Sequence, residues 1–248
     1  FYANYRGTSW YQENQRRQEA LAKSLGFSKV SKLKLAVTDA IKEFVAGGGF
    51  MFAMCSATDS YDIAQAAANT DICSEMFDGD PQDPAAQSKL DFSRCFAFQN
   101  FTLVKDPMIY EFSSIDTDPR TRMIERENDY FTLFDFSAKY DPVPTMLTQN
   151  HTRTVKGFMG QTTAFMRKYV KPNVLIMGEN KALGEAKYIH GEYGKGQWTF
   201  YAGHDPEDYE HRVGDPPTDL QLHPNSPGYR LILNNVLFPA AKKQKQKT

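Results

Sequence analysis

Two segments of the chain carry residues with the means for covalent acyl chemistry. In "FVAGGGFMFAMCSATDSYDIAQAAAN" a lone cysteine, Cys55, closes a short apolar run and stands directly before a helix-prone stretch. Ala53 and Ala57 put small residues two before and two after it. A strand that turns sharply into a helix, with its nucleophile in a strained conformation, needs small residues at those places because bulk would strike the neighbouring strand and helix. The helix start would favour a thiolate through its dipole, and the Ser56 N–H could help hold an oxyanion. The same residues fit a plainer reading, a small apolar filler at the end of a core strand. The segment by itself supports both equally.

A thiol acting as nucleophile needs a base, and the base needs a carboxylate to orient it. "GKGQWTFYAGHDPEDYEHRV" supplies His204 after an apolar strand, followed by Asp205 and Glu207. If both strands run parallel in one sheet, His204 and Cys55 lie at the same carboxyl edge, where ligands gather. Asp205 or Glu207 could hold the other ring nitrogen. The alternative is an ordinary turn with its acids in water. Asp59 suits a cap on the helix after the turn or a contact to a polar substrate group. His211 and His223, with Asp205, Asp208, Asp215 and Asp219, match no zinc or calcium spacing, so a rigid loop is expected there and neither metal nor cofactor. His190 is read as packing. "GKG" at 194–196 is a hairpin turn and not a phosphate loop, since no G-K-[ST] precedes a helix.

The surrounding pattern supplies elements to position these residues. "SWYQENQRRQEALAKSLGF" predicts a helix with Ser9 and Gln12 as a reciprocal cap and Gly26 as its stop. Leu33, Ala36, Val37, Ala40, Ile41, Phe44 and Val45 predict a second helix ending at Gly47–Gly49. "FMFAMC" reads as a strand buried on both faces. "CFAFQNFTLV", "DYFTLFDF" and "NVLIMGE" read as strands, "AKYIHGEYGKGQWTFYAGHD" as a hairpin, and "TVKGFMGQTTAFMRKYV" as holding a helix. "SPGYRLILNNVLFPA" closes the chain with a helix, before a basic tail at 241–248. This rhythm predicts a three-layer α/β fold in a single domain over 1–240, with a long insertion at about 77–150.

At 248 residues and a net charge of −1 the chain shows no global attraction to nucleic acid. It has no apolar run of about 18 residues, so no membrane span is expected. Three cysteines are too few for a disulfide scaffold. A Cys73–Cys95 pair with one free thiol suits an exported protein and three free thiols suit the cytosol; the spacing leans to export. Phe1 is not an initiator methionine, and residues 1–32 hold no convincing strand. The expectation is that either the sheet is assembled differently or an N-terminal portion or a second subunit completes it.

"FVAGGGFMFAMCSAT" resembles the glycine-rich, apolar, Ser-Ala-Thr stretch of ThuA-like proteins, and "GKGQWTFYAGHDPEDY" with "YRLILNNVLF" resembles their closing strand and terminal helix. That family lies in the class I glutamine amidotransferase-like superfamily. The resemblance implies a flavodoxin-like sheet with helices on both faces and, by analogy with the Cys-His-Glu triad of true amidotransferases, Cys55 as nucleophile, His204 as base and Glu207 as orienting acid. It departs from the pattern in Ala53 and Ala57, which replace the elbow glycines, and in "HDPE", which is one residue longer than "HPE". It implies amide hydrolysis or amidotransfer on a small polar substrate, or else a non-catalytic module that binds a sugar or other polar metabolite. Some bacterial sequences of this appearance carry the label asparagine synthetase B. The residues argue against that chemistry, because neither an N-terminal cysteine nucleophile nor an S-G-G-x-D-S loop is present.

Overall fold

The computed structural model describes residues 2–117, 128–134, 142–210 and 215–241. The charged stretch 118–127, His211 and all of the basic tail but Ala241 lie outside the described residues. Helix α1 (Ser9–Ser24) begins after Thr8, whose Oγ1 donates to the Tyr5 carbonyl at 2.6 Å. Ser9 is therefore already helical, and the expected Ser9–Gln12 cap does not form. Gly26 ends the helix at φ +82°, with the Phe27 N–H reaching back to the Ala22 carbonyl at 2.9 Å, as a C-terminal glycine should. Helix α2 (Val30–Ala46) stops at the three glycines and feeds β1 (Phe50–Met54), which turns at once into α3 (Ser56–Ala66).

The remaining strands are β2 (Tyr130–Leu133), β3 (Thr154–Lys156), β4 (Phe165–Met166), β5 (Leu175–Asn180), β6 (Glu185–Tyr193) and β7 (Gly196–Tyr201). Together they form a mixed sheet in the order β1-β7-β6-β5-β2-β3, with β4 pairing against the start of β6. Only β1 and β7 run parallel; the other described pairs are antiparallel. The molecule is thus an α/β protein with a mixed sheet and helices. Among residues 2–32 there is no strand, and β1 stands at the end of the strand order.

Side-chain alternation along β1 and β7 divides the interior into two apolar clusters. Trp198 and Phe200 join Ala53, Tyr61, Phe96 and Phe98 in one. Tyr201 joins Tyr188, Leu231 and Phe238 in the other, with Phe50 and Phe52 packed against it. The first cluster also holds Phe101 and Ile115, so the region expected as an insertion contributes to the same core as the sheet. After the short helices α4 (Glu75–Asp78) and α5 (Pro142–Thr148), the last α-helix, α6 (Pro227–Leu237), is capped by Ser226, whose Oγ accepts from the Tyr229 N–H.

Two segments differ from expectation. "CFAFQNFTLV" forms isolated bridges at Phe98 and Leu103 instead of a strand. The N–H groups of Phe96, Ala97 and Phe98 donate to the buried carboxylate of Asp62 at 2.7, 2.8 and 2.8 Å, so one side chain takes donors that a ladder would have used. The second, "TVKGFMGQTTAFMRKYV", is strands β3 and β4 joined by turns and ends in a short 3-10 helix. Gly157, Gly160 and β-branched Thr162 and Thr163 weaken any helix there, and Met159 instead bridges to Asp205.

The β6–β7 hairpin wedges its turn under the end of α2. A Cβ on Gly196 would lie 2.0 Å from the Val45 carbonyl and 2.3 Å from that of Gly49, both backbone atoms with little freedom to yield. Gly196→Ala is expected to cost about 3 kcal/mol of stability, measured by chemical denaturation.

Candidate active site

The turn between β1 and α3 puts Cys55 at φ +56°, ψ −140°. For a side chain with a Cβ this region costs of order 1–3 kcal/mol and persists only where the surroundings over-determine it. They do so here. The Cys55 N–H donates to the Tyr201 carbonyl at 2.9 Å, continuing the parallel ladder past the strand. On the other side the Cys55 carbonyl accepts from the Thr58 N–H at 3.1 Å and from Thr58 Oγ1 at 2.6 Å.

That ladder also fixes where the imidazole arrives. Met54 pairs with Tyr201, so the chain beyond Tyr201 leaves the sheet at the edge where Cys55 turns. Gly203, at φ +78°, makes the bend; a Cβ there would lie 2.6 Å from Phe158. Four backbone hydrogen bonds then stitch this segment to residues 159–162. His204 and Asp205 donate to the Met159 carbonyl at 2.7 and 3.1 Å, Met159 donates to the Asp205 carbonyl at 2.9 Å, and Gly203 donates to the Thr162 carbonyl at 2.7 Å. The stitched segment crosses the thiol, and the Gln161 N–H donates to Cys55 Sγ at 2.9 Å. Only glycine fits at 160: its φ is +149°, and a Cβ would lie 2.7 Å from Cys55 Sγ and 3.0 Å from His204 Cδ2.

The His204 ring lies beside the sulfur, since both border Gly160, and its Nδ1 lies 2.9 Å from Asp205 Oδ2, so Nε2 is the ring nitrogen turned away from Asp205. Burial by itself raises the Cys55 thiol. The neighbouring His204 ring and the backbone groups of Thr162, Gln161 and Ser56 outweigh it, and the thiol is held below its ordinary value. In return the adjacent Cys55 sulfur lifts His204, against its own desolvation and with help from Asp205, to about 9. Each group thus favours the charged form of the other. The acid on the ring is Asp205, and Glu207, the acid implied by resemblance, makes no hydrogen bond to it. The extra residue in "HDPE" puts the carboxylate adjacent to the histidine in the contact position.

Asp59 does not cap α3 and is not open to a substrate. It is fully buried, with Oδ1 accepting from Thr162 Oγ1 at 3.1 Å and Oδ2 without a partner. It therefore braces the Gly160–Thr162 segment from below. Burial raises Asp59 to about 7, and burial followed by the charge of Asp59 raises Asp116 to about 8. Ser56 opens α3, and its carbonyl accepts from Ser60 Oγ. Cys73 and Cys95 are free thiols, so no pair forms between them. Buried His190 sets Nδ1 against Thr199 Oγ1 at 2.9 Å, a packing role. Elsewhere Asp71, Asp78 and Asp80 converge, but Lys29 Nζ sits among them, 3.2 Å from Asp71 and 3.4 Å from Asp78. An ammonium already supplies the positive charge there.

Residues 160–162 escaped sequence reasoning. "GQTT" has no catalytic spacing of its own, and its one local signal is a glycine between two extended apolar stretches. Compared with protein families, curated proteins and solved structures, the chain matches none.

Two outcomes follow from this geometry. Gly160→Ala is expected to leave circular dichroism unchanged and to slow Cys55 alkylation at least about tenfold, because thiol and ring must part. The raised carboxyls make the folded state bind more protons than the unfolded chain between about pH 4 and 8, so they lower stability as pH rises through that window. Asp59→Asn should narrow the difference in melting temperature between pH 5 and pH 8 by about 2–4 °C.

Proposed function

We propose that the protein is a cysteine-dependent acyl-transfer enzyme, an amide hydrolase or amidotransferase-like catalyst, with Cys55 as nucleophile, His204 as acid and base, and Asp205 as the group orienting His204. The observation that carries this reading is the thiol on its strained turn beside a histidine ring whose Nδ1 meets a carboxylate at 2.9 Å. An ordinary packed cysteine has no need of that arrangement.

In the proposed reaction the Cys55 thiolate attacks a carbonyl carbon and forms a C–S bond. The carbonyl oxygen takes up the negative charge beside the Ser56 N–H. As the C–N bond breaks, the Nε2 proton of His204 passes to the leaving amine, and a thioester remains on Cys55. The neutral imidazole then takes a proton from water, or from an acceptor amine. The resulting oxygen or nitrogen nucleophile attacks the thioester, the C–S bond breaks, and the thiolate–imidazolium pair returns. Asp205 keeps the ring in the tautomer this requires and offsets its charge.

We read the sheet as a variant of the flavodoxin-like, ThuA-like arrangement. Three features support this: the β1–elbow–α3 unit, its parallel pairing with β7, and the closing helix α6. A second reading, a binding module whose cysteine does no chemistry, draws on the low exposure of Cys55, 7% of its free surface.

Iodoacetamide labelling followed by peptide mass spectrometry separates the two. Cys73 is pushed up to about 12 by burial and by Asp78, and Cys95 is pushed up by burial. At pH 7 Cys55 is expected to react at least about tenfold faster than either, with a rate profile inflecting below the usual thiol value of about 8.5. His204→Ala should move that inflection upward. Equal or slower labelling at Cys55 would remove the enzyme reading.

A further inference from the structure

A cavity of about 350 Å³ opens along the outward side of α3, the helix that starts at the elbow. Its walls are mainly apolar: Ile63 and Ala64 of α3, Ile72 and Phe77 beyond it, and Leu103 and Val104 opposite. That size and lining suit a small-molecule site.

Two connections tie this cavity to the cysteine. Ser60 lines its near end and bonds to the Ser56 carbonyl, so the cavity begins one helical turn, about 6 Å, along α3 from the residue after Cys55. Behind another part of the lining, Gln161 gives its N–H to Cys55 Sγ and its side-chain amide to the Tyr110 carbonyl at 3.0 Å. The neighbours of Tyr110, Ile109 and Glu111, both line the cavity. One residue therefore links the thiolate to the cavity wall.

We propose that this cavity receives the apolar acyl portion of the substrate, a hydrocarbon chain of about six carbons or a single ring, whose carbonyl carbon is presented to Cys55. The inference rests on the acyl-transfer reading of Cys55 and names the acyl group that the reading leaves open. An acetyl group has no methylene to place against the apolar wall, whereas on this proposal a hexanoyl chain lays its outer methylenes at the cavity's near end. It also departs from the small polar substrate implied by the sequence resemblance.

The test is acylation of the full chain at pH 7 by p-nitrophenyl acetate and p-nitrophenyl hexanoate, each rate divided by that of free cysteine. Acylation of Cys55 is confirmed by mass and compared with Cys55→Ala. The hexanoyl group is expected to transfer at least about tenfold faster than the acetyl group. Ala64→Phe, or Val104→Phe from the opposite wall, should abolish that preference while leaving iodoacetamide labelling of Cys55 within about twofold. Circular dichroism selects the variant that folds. Equal transfer of both acyl groups to a rapidly labelled Cys55 overturns the cavity's role and leaves the acyl-transfer reading standing. A preference that survives in a folded filled variant does the same. No acylation by either ester above the Cys55→Ala background overturns both.

Discussion

The site depends on the parallel register of β1 and β7. Because Met54 pairs with Tyr201 and the Cys55 N–H extends the ladder to the Tyr201 carbonyl, the two chains leave the sheet side by side. An antiparallel pairing would send the histidine segment to the opposite end, some five residues of strand away. The register holds because β7 carries large side chains on both faces, Trp198 and Phe200 into one cluster and Tyr201 into the other. A slip of one residue would exchange those faces and expose both clusters.

Around that register the molecule stores strain and charge near the thiol. Cys55 sits in a disfavoured backbone region, Gly160 and Gly203 take conformations only glycine tolerates easily, and Asp59 is buried with one oxygen unpartnered. Each of these features is unfavourable alone, and they cluster within one segment of contact. What offsets them is the close hydrogen bonding of residues 159–162 to 203–205 and the aromatic packing beneath, where Phe158 stacks on Tyr201 at 5.1 Å. The mutual shift of Cys55 and His204 draws on the same enclosure, since opposite charges attract more strongly where water is scarce.

Much of the scaffold was legible in the sequence. The helical spacing of Leu33 to Val45, the triple glycine, the unbroken "FMFAM" run and the glycine-turned hairpin at 194–196 each report a local preference, and each appears as the expected element. The misread stretches, 95–104 and 154–170, have their hydrogen bonds taken by distant partners: the Asp62 carboxylate in one case, the backbone at 203–205 in the other. Local propensity carries no information about a partner more than thirty residues away.

The same division holds at the site. The residue types, with small alanines flanking Cys55 and a histidine after an apolar strand, by themselves determined that a strand-turn-helix could display a thiol and that an imidazole could follow a neighbouring strand. Tertiary structure alone decided that Asp205 rather than Glu207 meets the ring, that Asp59 turns inward, and that Gly160, Gln161 and Thr162 roof the sulfur. Those outcomes depend on backbone direction after Gly203 and on hydrogen bonds between segments some forty residues apart, which are settled only when the sheet closes.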